Sequence, residues 1–64
     1  MGIIRRAYEF IVAHRIYGIR HWIVKVQAAD TEMGRQAALA IVQHEIDPGN
    51  ARPTFYLLST GREM

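Results

Sequence analysis

Hydrophobic positions change their period along these 64 residues, and the changes mark out the elements. From residue 7 to residue 29 the chain is rich in Tyr, Phe, Ile, Val and Trp, which suit a pleated, half-buried surface, and Tyr17-Gly18 interrupts the run near its middle. The pattern predicts a β-hairpin. A three-residue loop centred on Gly18 would set Tyr8 opposite Ala28, Phe10 opposite Val26, Val12 opposite Val24 and His14 opposite Trp22, which gathers one apolar face. The other face then carries Glu9 beside Gln27, Ile11 beside Lys25, Ala13 beside Ile23 and Arg15 beside His21. A helix over residues 3 to 14 competes, since Ile3, Ala7, Phe10, Ile11 and His14 also fall at helical spacing. The density of β-branched and aromatic residues favours the strand.

After Ala28-Ala29 the chemistry changes. Asp30 or Thr31 can cap a helix and Glu32 adds negative charge to its first turn, so the spacing predicts a helix over residues 31 to 46 that Asp47-Pro48-Gly49-Asn50 ends. At 100° per residue, Met33, Ala37, Ala40, Ile41 and His44 gather on a face that can lie on the sheet. Leu39, Val42 and Ile46 form a second apolar stripe beside Arg35. Thr54 to Thr60 supplies a third strand, and residues 61 to 64 are expected to fray. The expected fold is therefore α+β, in the order ββαβ: one domain over residues 1–64, a three-stranded antiparallel-type sheet of order 2-1-3, and one helix on one face. The face bearing Ile11, Ala13, Arg15, His21, Ile23 and Lys25 is left open.

Composition sharpens this picture in two ways. Half the residues are hydrophobic, too many for a disordered tail, and there is no cysteine, which excludes disulfides and thiolate metal sites. No apolar run approaches the roughly 20 residues needed to cross a bilayer, and no secretory pattern follows Arg5-Arg6, so the expected compartment is the cytoplasm. The net charge of +2 is modest, yet seven of the eight cations are Arg, a side chain suited to interfaces.

Catalytic and metal chemistry find little footing in the pattern. His14, His21 and His44 lack the spacing of a zinc site, the hydroxyls and carboxylates are scattered, and no glycine-rich phosphate loop occurs. The expectation is a protein that is not an enzyme and carries no cofactor. Two surfaces are candidates for a protein partner: the open sheet face with Ile11, Arg15, Arg20, His21, Ile23 and Lys25, and the helix stripe with Arg35, Leu39, Val42 and Ile46. A small RNA- or DNA-binding domain using the Arg-bearing strands, and a homodimer burying the helix stripe, are the alternatives.

The stretch from Trp22 to Ala37, an alternating strand followed by Ala28-Ala29, an acidic cap and an alanine-bearing helix, resembles short phage, prophage and plasmid proteins, anti-CRISPR proteins among them. The resemblance covers about a quarter of the chain. It implies stoichiometric binding to a subunit of a larger assembly and assigns no residue a role.

Overall fold

Residues Arg6–His14 form a strand, β1, and no helix competes there; Ile3 lies outside the residues that the computed structural model describes, which are 4–18 and 20–64. After it come β2 (His21–Ala28), α1 (Thr31–Ile46), β3 (Phe55–Leu57) and β4 (Arg62–Glu63). The sheet is antiparallel in the order β2-β1-β3, with β4 paired to β1 as well. The helix begins and ends where the sequence predicts. Asp30 Oδ1 accepts the Met33 N–H at 2.8 Å and satisfies one of the free donors of the first turn.

Even-numbered residues of both long strands face the helix, as expected from the alternation of hydrophobic positions. The register, however, is displaced by two residues: Tyr8 pairs with Val26, Phe10 with Val24 and Val12 with Trp22. Such a shift preserves the faces and changes only the neighbours. Its cause lies in the connection, where His14 Nδ1 accepts the N–H groups of Ile16 and Tyr17, Arg15 N–H bonds to the Thr54 carbonyl, and Arg20 N–H bonds to the Tyr17 carbonyl. Those bonds take residues 15 to 17 out of the ladder, and a tight loop on Gly18 is replaced by a wider turn.

Helix α1 presents a different face from the one expected. Gly34, Ala38 and Val42 are its buried residues, whereas Met33 and Ile41 are 54% and 44% exposed, and Ala40 and His44 also face solvent. The rings of Tyr8 and Phe10 fill the space between helix and sheet. A Cβ on Gly34 would come within 3.1 Å of Phe10 and 3.3 Å of Tyr8, so the helix turns its smallest residues, four apart, onto the two rings of β1. Phe10 and Val12 are fully buried; one cluster joins Tyr8, Phe10, Val26, Ala28 and Ala38, and another joins Val12, Val42 and Phe55.

The last segment is neither one strand nor frayed. After β3 the chain bends at Leu58–Thr60, Gly61 takes φ +97°, and Arg62–Glu63 returns to pair with Glu9 and Tyr8. The Ser59 hydroxyl accepts the Ile11 N–H at 3.0 Å, standing in for a backbone carbonyl at the interruption.

Candidate interaction surfaces

Three features of this fold offer something to a partner: the uncovered sheet face, the outer edge of β2, and a cavity at the end of the sheet. On the uncovered face the corrected register makes rows of like chemistry. Ile11, half-buried, lies opposite Ile23, and Leu58, in the bend after β3, donates its N–H to the Ile11 carbonyl. Ile23 is 62% exposed. Glu9 stands between Lys25 and Arg62, one cation on each neighbouring strand. Ala13, fully buried, lies between His21 and Tyr56, and the Arg15 guanidinium stands 5.8 Å from the centre of the Tyr56 ring.

Of the residues expected to meet a partner, the structure therefore brings Ile11, Arg15, His21, Ile23 and Lys25 onto one face. The helix stripe does not form. Val42 is a core residue packed with Val12 and Phe55, Leu39 packs half-buried against the same cluster, and only Ile46 is exposed. The reason is the rotation of α1 that Tyr8 and Phe10 impose. Arg35 is exposed and bonded to Glu32 along the helix, which leaves it a solvated surface pair. Tyr56 and Arg62 also belong to the open face and were not expected there; Arg62 comes from the returning strand β4, which a simple strand pattern does not show.

The two edges of the sheet differ. At the β3 and β4 side the ladder is broken by the bend and Gly61, which is how natural sheets blunt an edge. Strand β2, by contrast, runs eight residues without proline. Its free groups follow from alternation. Ala7, Ile11 and Arg15 bond toward the β3 and β4 side, so the even residues of β1 bond to the even residues of β2. The N–H and C=O groups of His21, Ile23, Lys25 and Gln27 consequently point outward along β2.

A cavity of about 360 Å³ opens between the β1–β2 connection and the C-terminal end of α1, lined by His14, Tyr17, Arg20, Trp22, Ile46 and Asp47. This is where Arg20 lies, apart from the open face. His14 and Trp22 both meet Phe55 edge-on, with ring centres 4.9 and 5.3 Å away, and Tyr17 lies 5.1 Å from His14. Because His14 Nδ1 accepts two backbone N–H groups, its proton is on Nε2, which donates to Asp47 Oδ2 at 2.6 Å. Both nitrogens are occupied, so the ring offers neither a base nor a metal-binding lone pair in this arrangement. Exposed His44 is not part of the network, and among the described residues no three His, Asp or Glu side chains converge.

The Thr54 hydroxyl donates to the same Asp47 oxygen at 2.6 Å, and the Gln43 side-chain carbonyl accepts the Thr54 N–H at 2.8 Å. The network ties the end of β1 and the start of β3 to the end of the helix. Asp47 is held below the usual carboxylate range, first by the Thr54 hydroxyl and then by His14. A folded pKa below the unfolded one stabilises the fold above the unfolded value of 3.8, and this is lost as pH falls through the still lower folded value. Urea unfolding at pH 5 and below pH 3 should therefore show a smaller acid loss for Asp47→Asn than for the parent chain. Equal losses would remove the network from the acid response.

No protein family matches this chain, and neither a curated protein nor a solved structure is significantly similar to it.

Proposed function

We propose that this protein acts without catalysis, by laying its open sheet face against a protein partner. The observation that supports the reading is the row of half-buried Ile11 and exposed Ile23 on the open face, framed by charged residues on both sides. Apolar residues aligned across strands and rimmed by polar groups are the composition of a contact surface. Stoichiometric inhibition of a larger assembly, the mode that the anti-CRISPR resemblance implies, is the form of binding that suits so small a protein. A second reading rests on Arg15 over Tyr56 with His21 in the same row: one cation and one ring, side by side, also suit a phosphate and an unpaired base of RNA or DNA.

The two readings respond oppositely to salt and to substitution. Material captured by the immobilised protein from its native host, with and without nuclease, tests them. The protein reading expects a protein of defined stoichiometry that withstands nuclease and high salt, is lost with Ile23→Asp and is retained with Arg15→Glu. Captured nucleic acid that dissociates steeply with salt, and is lost with Arg15→Glu but retained with Ile23→Asp, would overturn it.

A further inference from the structure

We infer that the outer edge of β2 is a self-pairing surface: two copies of this chain join β2 to β2 antiparallel about a two-fold axis at Val24. The open groups of His21, Ile23, Lys25 and Gln27 form an unbroken edge on a strand without proline or bend, whose one charged side chain is Lys25, while the opposite edge is interrupted.

On the helix side this edge is flanked by apolar residues. Leu39 and Gln43 of α1 turn toward Phe55 and the segment before β3, so Met33 and Ile41 project on the opposite flank, the β2 side. Met33 and Ala37 line a groove with Gln27 and Ala28, which confirms the direction. Above the free edge there is therefore a ledge of Trp22 and Val24, both half-buried, with Met33 and Ile41 overhanging it.

Alternation, overlap and charge select the register. Only pairings of odd residues with odd residues satisfy the outward groups. Among these, centring on Val24 or on Lys25 gives the longest overlap, and centring on Lys25 sets two lysines face to face. Centring on Val24 sets Lys25 opposite Ile23 of the second copy and His21 opposite Gln27, with about eight inter-chain hydrogen bonds, two for each bonded pair. Each Lys25 keeps Glu9 beside it in its own sheet. The open faces of both copies then merge into one platform, with the two Ile23 side chains on one diagonal at its centre and the two Lys25 side chains on the other.

A thin core adds a reason for a second copy as occupant. A domain near sixty residues buries only about 60% of its unfolded surface, and oligomerisation is a common reinforcement where disulfides are absent. An interface of ordinary size takes about 800 Å² from each partner. Edge, ledge and overhang lie on one side of the molecule and form one continuous surface.

Sedimentation equilibrium tests the inference. The chain is expected at twice its 7.3 kDa mass at micromolar concentrations. Ile41→Glu, on an exposed helical position, and Lys25→Pro, at an edge N–H that no bond within the chain uses, should each keep the circular dichroism spectrum and halve the mass. As the chain has no cysteine, Val24→Cys should form a disulfide-linked dimer on mild oxidation and Gln36→Cys should not, since residues at the axis form a closely spaced pair about 4.5 Å apart. A mass of 7.3 kDa at every concentration, or a dimer that survives both Ile41→Glu and Lys25→Pro, would overturn the pairing and leave the open-face reading standing.

Discussion

Truncating Phe10 to alanine is expected to remove roughly a third or more of the stability of the fold at 25 °C. A domain of this length has about 3–10 kcal/mol of stability in all, at about 0.05–0.15 kcal/mol per residue. Phe→Ala in a core costs about 3–5 kcal/mol, from the lost burial and from a cavity that the surroundings refill only in part. Phe10 is fully buried on the central strand, under Gly34 of the helix and beside Gly61 of the returning chain, so three parts of the fold meet at one ring. Circular dichroism and urea unfolding at fixed protein concentration measure the loss. A cooperative transition displaced by less than about 1 kcal/mol would show that the ring is not the hub of the core.

Gly61→Ala should approach this effect from the opposite direction, by adding one carbon. At φ +97° an L side chain is strained, at a cost of about 1–3 kcal/mol. The new Cβ would also stand 2.5 Å from Phe10 Cε1 and 2.8 Å from Cζ, and overpacking of this kind costs a further 1–3 kcal/mol, roughly. The two parts separate in a double-mutant cycle. Phe10→Leu vacates the space that the ring occupies, so Gly61→Ala should cost about 1 kcal/mol less in that background, the remainder being backbone strain. Strict additivity would mean that β4 returns to β1 without help from Phe10. Detachment of β4 should appear first as rapid amide exchange at Met64, whose N–H bonds to the Ala7 carbonyl.

Much of this architecture is legible in the residues, and the parts that are not share a cause. Asp30 before Thr31 and Asp47-Pro48 after Ile46 set the helix bounds through local hydrogen bonding and proline geometry, which a sequence displays directly. The even positions of β1 and β2 reveal the buried face for the same reason. The register depends instead on His14, whose ring collects two N–H groups and widens the turn, an effect of one side chain reaching back to its own loop. The rotation of α1 depends on the volumes of Tyr8 and Phe10 on another element, and a helical wheel of α1 alone favours its bulky residues inside. Gly34, Ala38 and Val42 at intervals of four were the available signal. Of the candidate partner surface, the members read from strand alternation, Ile11, Arg15, His21, Ile23 and Lys25, lie together on the open face. Arg20 lines the cavity instead, and Leu39 and Val42, read from the wheel, lie in or against the core.

The bend at Leu58–Thr60 and the backbone of Gly61 also limit how far a sheet of this kind can grow. A sheet with two continuous edges has two sticky ends and adds copies without limit, as fibrils do. Among the described residues only the β2 end keeps a continuous edge, which gives a valence of one for strand addition. If the strand that β2 accepts is the β2 of a second copy, as inferred above, growth stops at the pair, and concentration then sets how many pairs form, not how long a chain of them becomes.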